Sequence, residues 1–425
     1  MSAAPPRAPA FWGWWIVGVA FAAQALSIGF TIIPYGLFTP SIEREFGAST
    51  ALSQLGLGVF TVVMTLSGPV VGPILDRHSI RAVMCGGATL LSVSFLALSL
   101  ATELWQIALL FGVLASVGVT MMGPLSATTV VAKWFERRRG LAVGLAAMGP
   151  PAGGLVLVPL AGGLIEALGW RGTLQVFAAI NLGFVPLAWL IVRNRPEDVG
   201  QLPDGGAPRM VGPAAPGATG ALWSSAKLLR TRSFWAMALG LGIVFGFGGG
   251  WNANVPKFGQ DLGHSLSSIA WLMGIGAGLG IPGTLLFGAL ADRFDNRSLL
   301  WASIAIQIGA LLVLRSQPSF AWLTGALWVF GFSAGGLLPV YASLIGRLFG
   351  PLSFGRVMGL AGVVMMPFGA AAPVIAGALR DAAGDYRAAL GMVALAFAAG
   401  AVTLVLVKPP RPAFPGAAAQ PARGA

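Results

Sequence analysis

Two short segments of this chain repeat one pattern of charged residues. The pattern is Gly-x-x-x-Asp-Arg-x-x-x-Arg, and it begins at Gly72 and again at Gly288. Aspartate and arginine side chains form charge-assisted hydrogen bonds to neighbouring helix ends, and a glycine lets two helices cross closely. The pattern therefore predicts a contact between packed helices. Its charged members are Asp76, Arg77 and Arg81 in the first copy and Asp292, Arg293 and Arg297 in the second.

Several polar side chains lie inside long apolar runs, where a polar group is costly unless it is paired or functional. Phenol and amide groups are able to bind oxygen-bearing solutes without carrying a full charge. Asn252 and Asn254 share a helix face only if their helix is broken, which the neighbouring glycines 248–250 and Pro256 suggest. The candidate ligand-binding residues are Gln24, Tyr35, Ser126, Asn252, Asn254 and Tyr341.

The composition requires these residues to be positioned by membrane helices. Hydrophobic residues make up 56% of the 425 residues and charged residues only 9%, against about 45–50% and about 25% in soluble domains. Alternating short strands are missing from the sequence, so helices are the spanning elements. The 61 glycines agree with close packing of membrane helices. The sequence thus predicts an all-α integral membrane protein.

Apolar runs long enough to span a bilayer divide the chain into two similar halves. Asp76 and Asp292 are 216 residues apart, and Arg171 and Arg387 repeat that spacing. Self-similarity over such a period predicts one six-helix bundle used twice. The twelve predicted transmembrane helices are 12–38, 51–74, 80–101, 104–132, 139–165 and 171–192, then 233–256, 267–291, 298–315, 319–346, 356–379 and 386–407.

The basic residues report the orientation of the chain. Twenty of the 26 Lys and Arg residues fall on the side of both termini if these are cytoplasmic, as expected from the positive-inside rule. The net charge of +12 therefore does not indicate nucleic-acid binding. We expect a multi-pass inner-membrane protein with an N-terminal bundle over 1–193, a cytoplasmic linker over 194–231, a C-terminal bundle over 232–408 and a cytoplasmic tail over 409–425.

Further segments match sequence motifs of a known protein family. They are WGWWIV at 12–17, YGLFTP at 35–40, KWFERRRGLAVGLA at 133–146, GWRG at 169–172 and RPEDVG at 195–200. With the duplicated Gly-x-x-x-Asp-Arg pattern, the chain resembles the major facilitator superfamily of transporters, and within it the monocarboxylate transporter and oxalate/formate antiporter branch.

The resemblance implies roles for both sets of residues. Helices 1, 4, 7 and 10 line the solute cavity in that superfamily, which makes Tyr35, Asn252, Asn254 and Tyr341 the strongest candidates, followed by Gln24 and Ser126. It also implies that Asp76, Arg77 and Arg81, and more weakly Asp292, Arg293 and Arg297, form a conformational latch that stabilises the outward-facing state.

The chain departs from carboxylate carriers of that branch, which commonly place a basic residue in the first, eighth or eleventh helix. The runs 269–291 and 357–379 carry no charge, and Tyr35 follows Pro34 in the first. The acidic residues lie at helix ends or in loops, so coupling to an ion would use a mouth residue such as Glu166 or Asp261 rather than a deep carboxylate relay.

These features favour a secondary active or facilitative transporter of a small organic solute, foremost a monocarboxylate-like anion, working by alternating access. An exporter of amphipathic or drug-like compounds is one alternative, and a non-transporting membrane sensor is another. We expect no enzyme activity, cofactor or metal, because no catalytic or ligand cluster can be assembled. The expected partners are the solute, the lipid bilayer and a co- or counter-transported ion, and we expect a monomer.

Overall fold

The computed structural model of the protein describes residues 11–205, 223–350 and 353–407, which are helical with no strand among them. Ten of the described helices are long and apolar enough to cross a membrane. One of these, over 139–191, reverses at Gly169 and makes two crossings, and a broken helix at the start supplies one more. The all-α membrane fold predicted from the sequence is confirmed.

We number the crossings 1 to 12 in chain order. Crossings 1 to 6 are Gly13–Gly29 with Tyr35–Phe46, Thr50–Arg77, Ile80–Ser99, Leu104–Trp134, Arg139–Ala147 continuing to residue 168, and residues 170–191. Crossings 7 to 12 are Arg232–Asp261, Leu266–Ala291, Asn296–Arg315, Phe320–Phe349, Phe354–Ala383 and Arg387–Thr403. We call the end that holds Gly13 and Arg77 the inner end, and the opposite end the outer end.

Two crossings are interrupted where the sequence predicted continuous helices. Crossing 1 breaks between Gly29 and Tyr35, because Pro34 has no N–H to continue the helical ladder and its ring would crowd the preceding turn. Crossing 4 contains a wide helical segment, Ala108–Ala115, and breaks at Gly123. The Ser126 hydroxyl donates to the Met121 carbonyl across that second break.

Helix starts repeat between the two halves. The side chains of Ser49 and Ser265 accept hydrogen bonds from backbone N–H groups of crossings 2 and 8. Ser79 and Asp295 do the same for crossings 3 and 9. Side-chain oxygens at this position satisfy N–H groups that have no partner inside the helix. Both pairs are 216 residues apart, so the duplication extends to the caps.

The predicted linker is described at its two ends, while residues 206–222 and the predicted tail over 409–425 lie outside the described part. At the first end, the Asp204 carboxylate accepts hydrogen bonds from the backbone N–H groups of Glu136, Arg137 and Arg138. Desolvation opposes ionisation there, but these bonds and the nearby Arg137 charge hold the pKa of Asp204 below its ordinary value. The linker is thereby attached to the loop between crossings 4 and 5.

Glycines set the distances between neighbouring crossings. In the second half, crossings 8 and 10 approach so closely that a Cβ atom on Gly283 would lie 1.9 Å from the Phe332 carbonyl oxygen. Gly331 and Gly335 meet the backbone of Gly276 and Gly280 in the same interface. Because lipid tails are as apolar as the side chains, such backbone proximity is what holds membrane helices together.

We predict that Gly283→Ala destabilises the protein by about 1–3 kcal/mol, because the added methyl group would overpack the interface between crossings 8 and 10. Thermal unfolding of the purified protein, monitored in one detergent, should show a lower midpoint. Gly309→Ala is the matched control, since a Cβ atom on the exposed Gly309 meets nothing within 4 Å. Equal midpoints for the two variants would contradict the prediction.

Candidate functional site

Charged side chains join the two halves at the outer end. Lys257 of crossing 7 lies 3.6 Å from the Glu43 carboxylate of crossing 1 and 3.1 Å from Asp261. Asp261 in turn binds the Arg380 guanidinium of crossing 11 at 3.0 and 3.1 Å. The Glu43 to Lys257 ion pair therefore joins the two halves. Of the four charged residues in this group, only Asp261 was singled out from the sequence. The signal that was available is the placement of these residues near the outer ends of three crossings.

The inner ends of the crossings differ from the outer ends. A Cβ atom on Gly68 or Gly72 of crossing 2, or on Gly355 or Gly359 of crossing 11, would meet nothing within 4 Å. Nearer the outer end, a Cβ atom on Gly58 of crossing 2 would lie 2.7 Å from the Ala370 carbonyl oxygen of crossing 11. The space between the two halves therefore opens toward the inner end.

Tyr35, a candidate from the sequence, lies inside the first half. Its side chain is 3% exposed, and its hydroxyl donates to the Ser53 carbonyl oxygen at 2.7 Å. The ring packs against Phe111 of crossing 4 with centroids 4.6 Å apart. The hydroxyl thus joins crossing 1 to crossing 2.

The two asparagines of crossing 7 do not share a face, because the helix runs unbroken from Arg232 to Asp261; the break suggested by the sequence is wrong. Asn254 is buried, donates to the carbonyl oxygens of Gly250 and Pro373 and accepts a hydrogen bond from the Tyr386 hydroxyl. Asn254 therefore connects crossing 7 to crossing 11 and to the start of crossing 12, whereas Asn252 is exposed.

Asn252 and Tyr341 have polar groups that the protein leaves available. Asn252 lies two helical turns from Phe245 on crossing 7, and the Phe245 ring lies 6.2 Å from the Tyr341 ring of crossing 10. The Tyr341 hydroxyl is buried and has no hydrogen-bond partner among the described residues. An unpaired buried hydroxyl is costly unless something binds it.

The remaining two candidates from the sequence form internal hydrogen bonds. The Gln24 amide of crossing 1 donates to the Ala146 carbonyl oxygen of crossing 5 at 2.9 Å. Ser126 bridges the break in crossing 4, as described above. The structure therefore does not bring the six candidates together around one space, and their binding of a solute stays a prediction.

The first copy of the predicted latch lies at the inner end. Asp76 and Arg77 are exposed, and the Asp76 carboxylate has no ion-pair or hydrogen-bond partner in the described part of the chain. Arg81 stacks on Trp189, with its guanidinium carbon 4.2 Å from the ring centroid. The close helix crossing predicted at Gly72 is absent in this conformation, because its surroundings are open.

The second copy follows crossing 8. Asp292 and Arg293 are exposed, as their counterparts are. Arg297 binds Asp295 at 3.3 Å and donates to the Val407 carbonyl oxygen at 3.0 Å. The described contacts of both copies therefore stay within their own half. Among the described residues there is also no group of three or more His, Cys, Asp or Glu residues able to hold a metal ion.

The sequence profile of the Major Facilitator Superfamily matches residues 17–314 and 283–424. The chain belongs to the Major Facilitator Superfamily. Monocarboxylate transporter 11 of Homo sapiens is 30% identical to this transporter over 402 residues, covering 89% of this chain and 79% of that protein. Monocarboxylate transporter 13 of Bos taurus is 26% identical over 401 residues, covering 93% and 89%. These relatives place the transporter in the monocarboxylate transporter branch, as the sequence resemblance implied.

A solved structure agrees with this membrane fold. The inward-facing, unoccupied bacterial homolog of the human lysosomal transporter Spinster superposes with a TM-score of 0.69 at 17% identity. The match covers 94% of this transporter and 95% of that chain. At this identity the likeness concerns the fold alone.

We predict that Asn254→Ala lowers the stability of the transporter by about 1–3 kcal/mol, because the buried Tyr386 hydroxyl and Pro373 carbonyl oxygen each lose a partner. The midpoint of thermal unfolding in detergent measures the effect. Asn252→Ala is the control in the same helix, and it should leave the midpoint almost unchanged because Asn252 is exposed. A loss of equal size in both variants would contradict the assigned roles.

Proposed function

We propose that this transmembrane transporter carries a small monocarboxylate-like organic anion by alternating access. The names of its relatives support the solute class. The observation that supports the mechanism is the asymmetry between the ends: the halves are bonded to each other at the outer end and separated at the inner end. With the termini cytoplasmic, as the basic residues predict, this conformation is the inward-facing state.

The proposed solute site lies where the second half faces the space between the halves, at Asn252 of crossing 7 and Tyr341 of crossing 10. Substrates in such folds bind near the midplane between the two repeats, and these two side chains keep polar groups that no described residue occupies. A carboxylate would accept hydrogen bonds from the amide and the phenol in place of an ion pair with a basic residue. Tyr35, Asn254, Gln24 and Ser126 would support the site by fixing the surrounding helices.

The proposed function is tested by uptake of labelled lactate, pyruvate and oxalate into proteoliposomes. We expect saturable uptake above that of empty liposomes, reduced by the unlabelled solute. Efflux of a lipophilic dye is measured on the same preparation. Dye efflux without uptake of any of the three acids would favour an exporter of amphipathic compounds and contradict the proposal.

The solute site is tested with variants in the same assay. Asn252→Ala and Tyr341→Phe should each raise the KM of uptake about tenfold, because a hydrogen bond to a charged group contributes about 1.5–3 kcal/mol. Tyr386→Phe is the matched control, since its hydroxyl binds Asn254 inside the second half; it should lower thermal stability and leave KM unchanged. Unchanged KM in both site variants would show that the solute binds elsewhere.

For the latch, we propose that Asp76, Arg77 and Arg81, with Asp292, Arg293 and Arg297, form contacts between halves when the inner end closes. Their exposure and the open surroundings of Gly72 are consistent with a latch that is released in the inward-facing state.

We therefore predict that Asp76→Asn reduces the maximal uptake rate about fivefold or more, because a neutral amide forms weaker hydrogen bonds than a carboxylate, without affecting membrane insertion. Asp198→Asn is the control, because the exposed Asp198 accepts a backbone N–H bond from Arg195 at the inner end and contacts no latch residue. Normal uptake by the Asp76 variant would remove the latch assignment.

A further inference from the structure

At the outer end, each of two carboxylates binds the start of a helix that belongs to the opposite half. Glu166, at the outer end of crossing 5, accepts a hydrogen bond from the backbone N–H of Ser267 in crossing 8 at 2.8 Å. Asp381, at the outer end of crossing 11, accepts from the backbone N–H groups of Thr50 and Ala51 in crossing 2 at 3.2 and 3.0 Å. We call Glu166 and Asp381 the outer caps.

The outer caps are copies of each other. Glu166 and Asp381 are 215 residues apart, and their partners Ala51 and Ser267 are 216 apart, which is the spacing of the duplicated halves. The ion pair of Glu43 and Lys257 has no such copy, because the positions at the same spacing hold Gly259 and Ser41. The caps therefore belong to the repeated architecture, and they lie in both interfaces between the halves.

A glycine one helical turn before each cap allows the helices to meet. A Cβ atom on Gly377 would lie 2.9 Å from the Ala51 nitrogen, and one on Gly162 would lie 2.4 Å from the Ala270 Cβ atom. Each glycine is four residues before its carboxylate, so the sequence Gly-x-x-x-Glu/Asp recurs at the outer ends of crossings 5 and 11. The glycine brings the backbones together, and the acid then reaches the first turn of the neighbouring helix.

The hydrogen bonds from helix-start N–H groups to the outer caps stabilise the closed outer end. The first N–H groups of a helix have no partner within it, and the positive end of the helix dipole attracts a carboxylate. Ser49 and Ser265 occupy one N–H group at each start, those of Leu52 and Ser268. The outer caps occupy further N–H groups of the same turns. If the halves separate at this end, the bonds between the carboxylates and those N–H groups are replaced by hydrogen bonds to water.

We propose that Glu166 and Asp381 are positioning residues of the transport cycle, which hold the outer ends of the halves together and set the ratio of inward-facing to outward-facing transporter. The inference rests on the proposed alternating access and adds the side chains that bias it. It does not depend on which solute is carried.

The test measures distances between spin labels by electron double resonance in a Cys85→Ala background, which has no other cysteine. One pair of cysteines, at the exposed Thr102 and Ser316, reports the outer end. Another pair, at the exposed His78 and Phe294, reports the inner end. Each pair is introduced separately into the full chain.

We predict that Glu166→Ala and Asp381→Ala each raise the ratio of long to short outer separations about fivefold, the usual effect of losing a helix cap. The double variant should raise it about 25-fold, because the two caps share no partner and their effects multiply. The inner separations should shorten in proportion, since the halves move as units. Glu166→Gln and Asp381→Asn, which keep an uncharged acceptor, should fall between wild type and the alanine variants.

Asp385→Ala is the matched control. Its carboxylate also accepts a backbone N–H bond at the outer end, from Arg387 at 2.9 Å, but within its own half, so both separations should stay as in the wild type. If the alanine pair does not fold, the Gln and Asn pair provides the comparison. Unchanged outer separations in the double variant would overturn the proposal, and so would lengthening at the outer end without shortening at the inner end, because that would be loosening rather than a change of state.

The distances require no solute, so the two proposals can fail separately. Responsive distances without uptake of any of the three acids would leave the outer caps in place and remove the proposed solute class. Saturable lactate uptake with unresponsive distances would do the reverse.

Discussion

Close backbone contact between helices is the constraint on which this transporter depends. Lipid gives no hydrophobic drive for one apolar helix to pack on another, so association relies on dispersion contacts and a few polar bonds. A Cβ atom on Gly58 would lie 2.7 Å from the Ala370 carbonyl oxygen at the interface of crossings 2 and 11, and one on Gly274 would lie 3.1 Å from the Leu155 carbonyl oxygen at the interface of crossings 5 and 8. The two contacts are repeats of one another, and they place the halves in register.

The cost of placing a polar group in lipid explains where the polar side chains lie. A polar group within the bilayer is costly unless it has a partner. Tyr35, Gln24 and Asn254 use their polar atoms to join neighbouring helices within one half. Residues with this role must be rigid, whereas a solute site must have groups that are free until the solute arrives. Asn252 and Tyr341 meet that second requirement.

The hydrogen bonds and ion pairs described between the halves lie toward the outer end. Within a half, the hydrogen bonds of Tyr35, Gln24 and Asn254 are buried. The carboxylates of Glu166 and Asp381 lie at the outer surface, where water can replace either partner. The Glu43 to Lys257 pair is mostly buried, and the Gln54 amide of crossing 2 donates a buried hydrogen bond to the Ala253 carbonyl oxygen of crossing 7. Contacts that water can replace are consistent with the proposed alternating access, in which the halves separate at this end and meet at the other.

The membrane class, the number of crossings and the duplication followed from composition and from spacings such as that between Asp76 and Asp292, because these depend on local hydrophobicity and on repetition along the chain. The bend at Pro34 also had a local cause, although the sequence analysis extended one helix across it. The partners of Asn254 and the bond from Ser267 to Glu166 were decided only by tertiary structure. They depend on the rotation and register of helices far apart in the chain, and nothing in the sequence of one helix specifies which face of a distant helix it will meet.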